Sequence, residues 1–438
     1  MKLTPTIGLE VHMELSTNSK MFCGCKSNHF AKKPNTQTCP VCLGLPGALP
    51  FMNKKAVEDT LKTGLAFNCR VNEFSKFDRK HYFYPDLPKS FQTSQYDLPF
   101  CENGEFVLSD GKKIEITRIH LEEDTGKLVH SEVEGKKVSL IDFNRSGVPL
   151  MELVTEPDFE SVEEVDEFLR EIQLIVRYLE VSNADMEKGS MRLEANLSLS
   201  RDEKLADYKV ELKNINSFKF LIKAVGAELK RQEKAIKGGE KLVQETRGYN
   251  EATGKTFPQR TKEEARDYRY FPEPDLPPIE IDKDLVGKIK KDIPDLPDSY
   301  RKKLENLKTS QAYIEILIRN KDLADYFLKS VELGKKHNIA PKKIADAMVN
   351  LKMNEEFKGP AGLVKKLYVA TQVEYVDEEE AEDVVKKILG ENEKAVKEYK
   401  DGKVRVIGFL IGRVQSVLKG KGDVKMVKKV LERELKNG

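Results

Sequence analysis

Two stretches of this chain, residues 6–15 and 191–198, alternate apolar and charged side chains with the two-residue period of a β-strand. A strand with one apolar and one polar face has to bury the first against another layer, so the alternation demands a sheet-based domain. In the first stretch Ile7, Leu9, Val11 and Met13 share one face, and Glu10, His12 and Glu14 share the other. In the second, Met191, Leu193, Ala195 and Leu197 turn inward and Arg192, Glu194, Asn196 and Ser198 outward. Residues 117–124 put Arg118, His120 and Glu122 on one face, with Glu123 and Asp124 entering the turn. In residues 147–154 a single carboxylate, Glu152, lies among apolar neighbours on both sides, where an unpaired charge would be costly enough to demand a cation or hydrogen bonds. Four such segments can converge their acidic groups. A solvated sheet face produces the same alternation. Converging carboxylates suit Mg2+, which is held by oxygen ligands and substrate phosphates, whereas a His ligand is easier for Mn2+.

The grammar of residues 1–215 is that of short strands between Gly, Pro, Asn and Asp clusters. Helical periodicity interrupts it at 161–179 and 217–237, each opening on a serine, and the second ends at Gly238 and Gly239. The proline-crowded stretch 271–297 reads as an extended crossing rather than regular structure, and places a domain boundary there. Beyond it the chain is helical in pattern to the C-terminus, with a last unit from about residue 371. At 438 residues, two or three domains are expected.

Cys23-Gly24-Cys25 and Cys39-Pro40-Val41-Cys42 are separated by thirteen residues and form two chelating pairs. Four thiolates at this spacing close a tetrahedral site for Zn2+, and with no open position for water the zinc would be structural. Cys69 and Cys101 are left over as core thiols.

With 75 basic and 73 acidic residues the net charge is +2, so no whole-chain field draws it onto nucleic acid and any basic surface must be local. Neither a Gly-x-x-x-x-Gly-Lys-Ser/Thr loop nor a Gly-x-Gly-x-x-Gly after a strand occurs, so a nucleotide would need another cradle. No run approaches the roughly 18 apolar residues of a membrane span. The start, MKLTPTIGLE, lacks a signal-peptide core, and a cytoplasmic location is expected.

Longer words carry more. IGLEVH at 7–12, CPVCLGLPGALP at 39–50, KFDRKHYFYPDLPKSFQTSQYDLP at 76–99 and HLEEDTGK at 120–127 are followed by DFNRSGVPLMELVTEPD at 142–158 and GSMRLEANLS at 189–198. ELKNINSF at 211–218, QETR at 244–247, DYRYFPEPDLPP at 267–278 and GFLIGRVQSVLKGKGDVKMVKKVLEREL at 408–435 complete them. Together they closely resemble the B subunit of the bacterial and organellar aspartyl/glutamyl-tRNA(Asn/Gln) amidotransferases. The resemblance is nearly continuous from residue 6 to about 282, thin from there to 400, and clear again in the tail.

The resemblance implies an α+β fold: a large mixed or antiparallel sheet cradle domain with a structural zinc loop over 1–290, a helical domain over 295–370, and a small helical tail domain that grips tRNA over 371–438. It implies that ATP phosphorylates the side-chain carboxylate of the glutamyl or aspartyl group on tRNA(Gln) or tRNA(Asn). Ammonia from a partner amidase subunit then displaces the phosphate, and a small accessory subunit completes the heterotrimer. Position by position, His12, Glu122 and Glu152 match the family's metal-binding and catalytic residues, with Glu10 on the strand face of His12. Tyr82, Tyr84, Lys89 and Gln95 lie in its substrate-cleft word, where rings and polar ends could receive the nucleotide or the terminal adenosine. Leu193 and Glu194 stand where the family usually has a Cys-Asp pair, which leaves metal ligation by Glu194 open. The helical region looks several turns shorter than usual.

Two alternatives remain at this level: a zinc-containing tRNA-binding scaffold without its own phosphotransfer chemistry, and the archaeal paralogous subunit, for whose additional inserted domain 438 residues leave no room. In the tail, 404–418 and 423–435 read as two helices joined at 419–422, with Asp423 capping the second. Val406, Phe409, Leu410, Val414, Val417, Val424, Val427, Val430 and Leu431 are expected to form their core, with Arg405, Arg413, Lys419, Lys421, Lys425, Lys428 and Lys429 around it.

Overall fold

The computed structural model describes residues 3–201, 205–261, 267–372 and 376–437. It divides into two compact units, one running to Lys303 with Ile318–Lys321, the other made of Leu304–Leu317 and the chain from Asp322 onward.

The fold is α+β, as the sequence reading expects. In the first unit nine strands form one sheet: β1 Thr4–Glu14, β2 Arg70–Val71, β3 Cys101–Val107, β4 Lys113–Glu123 and β5 Pro149–Thr155. They continue with β6 Met191–Ser200, β7 Val210–Ile215, β8 Glu245–Asn250 and β9 Lys255–Thr261. The order across the sheet is β9-β8-β7-β6-β1-β5-β4-β3-β2. Every pair is antiparallel except β7 with β8, which makes the sheet mixed.

Ile7, Leu9, Val11 and Met13 of β1 and Met191, Leu193, Ala195 and Leu197 of β6 are all buried, as the alternation requires. Four helices of this unit contribute to the core. The second, α2, spans Val162–Tyr178; Ser161 accepts a hydrogen bond from the Glu164 amide at its start, and Glu163 and Glu164 favour the positive end of its dipole. Val165, Phe168, Leu169, Ile172, Ile175 and Val176 recur at three- and four-residue spacing and are buried, each of the larger ones contributing about 1.5–3 kcal/mol relative to exposure. Helix α3, Phe218–Lys237, is capped by Ser217 and ends at Gly238, as its pattern indicates.

Helix α1, Lys54–Ala66, interrupts the stretch expected to hold only strands before residue 161. Asn53 caps it, but its buried face is Ala56, Val57, Thr60, Leu61, Thr63 and Gly64, small and polar enough to leave almost no hydrophobic period. A second departure lies in 271–297, where helix Lys283–Lys291 forms. Asp282 caps it, no proline falls between Pro278 and Pro294, and Leu285, Val286 and Ile289 pack on the core.

The second unit is helical. Its C-terminal part packs Glu378–Glu391, Val406–Val417 and Val424–Asn437 around Val385, Ile388, Leu410, Val414, Leu418, Val427, Val430, Leu431 and Leu435. Asp423 caps the last helix through the Met426 amide. Phe409, Val417 and Val424, expected in this core, are instead exposed, and Val406 is half-buried. The helix Glu378–Glu391 supplies Val385 and Ile388 and so rotates the buried faces away from a two-helix arrangement.

Candidate active site and thiolate centre

The register of the central strands sets the site. β1 pairs His12 with Glu152 of β5 on one side and Arg192 of β6 on the other, and β5 pairs Glu152 with His120 of β4. Arg192, His12, Glu152 and His120 therefore stand side by side on the polar face, with Glu122 two residues along β4. His12 Nε2 lies 3.3 Å from Glu152 Oε2 and 3.9 Å from Glu122 Oε1. Each of the three offers a donor atom, and these atoms lie within 4.8 Å of one another. Donors about 2.1 Å from one hard cation sit roughly 3.0–4.2 Å apart, so this cluster has the dimensions to hold an ion.

Glu152, 6% exposed, is the buried acid that the sequence marked as costly. Its Oε2 also lies 3.1 Å from His120 Nε2, so one carboxylate oxygen meets two imidazoles. Burial opposes its ionisation, but His12 and His120 outweigh burial and hold it well below the usual carboxylate range. Burial likewise works against a charged His12, yet Glu152, Glu122 and Glu194 carry it up to about 9. Glu122 accepts a hydrogen bond from Ser94 Oγ at 3.1 Å, and the neighbouring Leu121 amide donates to Gln95 Oε1 at 3.0 Å.

The remaining expected site residues separate. Glu10 accepts from Asn196 Nδ2 at 2.8 Å, and Glu194 lies 2.6 Å from Lys213 Nζ, so neither belongs to the three-donor cluster. Gln95, read as a polar end for a ligand, is buried and spends its amide on Ser75, Leu98 and Leu121, which makes it a peg under β4. Lys89 pairs with Glu123 and donates to Thr93 Oγ1 at 3.1 Å. Tyr82 stands edge-on to Tyr268 and donates to Gln92 Oε1 at 3.3 Å, whereas the Tyr84 side chain is exposed.

Several residues of the site escaped the sequence reading. His120 was visible on its strand face, but not its pairing with Glu152. Lys80 Nζ stands 5.3 Å over the Tyr268 ring; burial disfavours its charge, but Glu122, Tyr270 and Glu152 raise its pKa. Tyr270 packs against Tyr268 and stacks on Tyr96 at 4.2 Å, giving an aromatic wall beside that lysine. Lys80 and Tyr96 lie in the word at 76–99, and Tyr268 and Tyr270 in DYRYFPEPDLPP.

The four paired cysteines converge as expected, with all four Sγ atoms within 4.8 Å and Cys39 and Cys42 3.9 Å apart. Sulfurs about 2.3 Å from a tetrahedral ion lie about 3.8 Å apart, so the centre could bind a metal. A hydrogen bond with Cys23 brings the Cys42 thiol down to about 5, with Lys20 assisting, while burial pushes Cys25 up to about 11. Cys69 and Cys101 are buried elsewhere in the core, and burial raises Cys69 to about 12. In the second unit Arg405, Arg413, Lys419, Lys421, Lys425, Lys428 and Lys429 are all exposed. Among the described residues no helix is long and apolar enough to cross a membrane.

The sequence matches the GatB/GatE catalytic domain over residues 5–287 and the GatB domain over 304–435. It is 43% identical to the B subunit of the aspartyl/glutamyl-tRNA(Asn/Gln) amidotransferase of Thermodesulfovibrio yellowstonii, covering 100% of both chains. It is 41% identical to that of Persephonella marina, again over 100% of each, and 41% identical to that of Thermosipho melanesiensis over 99% of this chain and 100% of the relative. The first alignment runs over 483 positions against 438 residues here, so that relative carries segments this chain lacks. With both domains matched in order and full-length relatives at this identity, the chain belongs to the family of aspartyl/glutamyl-tRNA(Asn/Gln) amidotransferase B subunits.

Proposed function

We propose that this chain is the tRNA-dependent, ATP-using B subunit of an amidotransferase that turns Glu-tRNA(Gln), Asp-tRNA(Asn) or both into the amidated tRNA. The observation that carries the reading is the convergence of His12, Glu122 and Glu152 on one point of the polar sheet face. Held there, Mg2+ or Mn2+ would neutralise the phosphates of ATP. An oxygen of the aminoacyl side-chain carboxylate attacks the γ-phosphorus while its bond to the ADP oxygen breaks, giving an acyl phosphate. Ammonia then adds to the carbonyl carbon, loses a proton and expels phosphate. Ionised Glu152 and the neighbouring Glu122 fix the ligand side of the site, and Lys80 faces them with a cation for anionic substrate oxygens. Tyr82, Tyr268 and Tyr270 offer ring faces to an adenine.

Around this site the four cysteines hold structural zinc, a partner amidase subunit supplies ammonia, a small accessory subunit joins the pair, and the assembly works in the cytoplasm on tRNA(Gln) or tRNA(Asn). The test is amidation of both misacylated tRNAs with the partner subunits present. Glu152→Gln and His12→Ala are each expected to lower turnover by about 100- to 1000-fold, the size of losing one electrostatic stabiliser, with tRNA binding intact. Near-normal turnover in either variant would leave the chain a tRNA-binding scaffold.

A further inference from the structure

Lys20 is among the largest fully buried side chains of the chain, with 1% of its surface exposed. A buried ammonium is stable only when its charge and its three N–H groups are matched. Its Nζ donates to the carbonyl of Gln37 at 2.8 Å, to that of Phe143 at 3.3 Å, and to Cys42 Sγ at 3.5 Å. No carboxylate of the described residues lies within 4 Å of it. Two neutral carbonyls satisfy hydrogen bonds but bring no charge, and Glu123, whose carboxylate also borders Gly147, is paired with Lys89. The thiolate centre has the opposite imbalance. Four thiolates around one divalent cation carry a net charge of −2, held in a half-buried loop.

We propose that Lys20 is the counter-charge of the thiolate centre, a positioning residue whose ammonium sets how tightly the four cysteines hold their metal. The inference rests on the reading of that centre as a zinc site. Geometry supports it from both sides. The Lys20 amide donates to the Cys25 carbonyl at 2.9 Å, so the lysine is anchored to one chelating pair by its backbone and to the other by its side chain. Its bond to Phe143 reaches the segment that leads into β5, where Gly147, at φ 84°, would place a Cβ 3.3 Å from Cys42 Cβ and 3.6 Å from Lys20 Cδ. Ser146 Oγ, by contrast, makes a neutral bond to the Cys42 carbonyl at 3.0 Å, which provides an internal control.

The full-length chain is purified as wild type, Lys20→Met, Lys20→Gln, Lys20→Arg and Ser146→Ala, and zinc per chain is measured before timing its transfer to excess chelator. Wild type is expected to hold one zinc; none in wild type would remove the zinc reading itself. Given zinc in wild type, Lys20→Met and Lys20→Gln should hold it about 10- to 100-fold less tightly, the range for loss of a partner outside the ligand set, with Lys20→Arg in between and Ser146→Ala near wild type. Cobalt substitution adds a readout that packing alone does not move. Loss of the N–H···S bond raises the thiolate lone pair, so the sulfur-to-cobalt band of Lys20→Met or Lys20→Gln should shift to longer wavelength, and that of Ser146→Ala should not. Whichever of the two neutral variants folds, wild-type retention with an unshifted band overturns the proposal, as does an equal loss of zinc in Ser146→Ala.

Discussion

Residue identity matters most where one side chain serves two neighbours. Glu152 Oε2 faces His12 at 3.3 Å and His120 at 3.1 Å, yet only His12 shares the three-donor cluster. In the proposed cation site His120 would act through Glu152, so His120→Asn should weaken Mn2+ binding by about 10- to 100-fold in a titration; wild-type affinity would reduce it to packing. The thiols divide in the same way. Titration with a thiol reagent is expected to find none reactive in the metal-loaded chain, four after chelation and all six in denaturant, because Cys69 and Cys101 are buried and burial raises the pKa of both. Reaction of the four without a chelator would show that no metal protects them. His12, Glu152 and the cysteines were legible because a buried acid and paired thiols have few uses. The partnership of His120 with Glu152 was not, since it depends on which rows of two strands align, and the hairpin of Lys127–Val133 and Lys136–Asp142 separates those strands in sequence.

Elements were readable in proportion to how strongly side-chain size marks their buried face. Strands β1 and β6 alternate bulky and charged residues, and α2 carries Phe168, Leu169 and Ile172 behind a serine cap, so each declares its period. Helix α1 shows the opposite case. Gly64 faces Cys101 so closely that a Cβ there would sit 2.8 Å from Cys101 Cβ and closer still to its sulfur. Gly64→Ala should therefore lower stability by about 1–3 kcal/mol in urea unfolding, despite alanine's better helix propensity, and Cys101→Ala should restore part of the loss. A stabilised Gly64→Ala would mean that α1 can shift outward. The tail helices teach the same lesson about faces. Their spacing gave the helices, but the buried side followed from Glu378–Glu391, a third helix that the pattern did not single out.

At the scale of the whole molecule, charge balance conceals a division of labour. The exposed Arg405, Arg413, Lys419, Lys421, Lys425, Lys428 and Lys429 give the second unit a basic surface that a net charge of +2 does not reveal. Replacing Lys419, Lys421 and Lys425 together with alanine should weaken tRNA binding and reduce the slope of log affinity against log salt by roughly 0.7–0.9 for each phosphate no longer neutralised, with zinc content unchanged. An unaltered slope would make that surface passive. Strand order has a consequence of another kind. β1 lies between β5 and β6, and its Thr4 pairs with Ser200. During translation the first strand to leave the ribosome meets β5 well before β6, so until the sixth strand emerges β1 is an open edge of the sheet with one row of backbone N–H and C=O groups unpaired. A nascent chain arrested before residue 191 already carries His12, Glu122 and Glu152 but lacks Arg192 and the rest of the strand on the far side of His12, so that side of the face stays open to any other strand until late in synthesis.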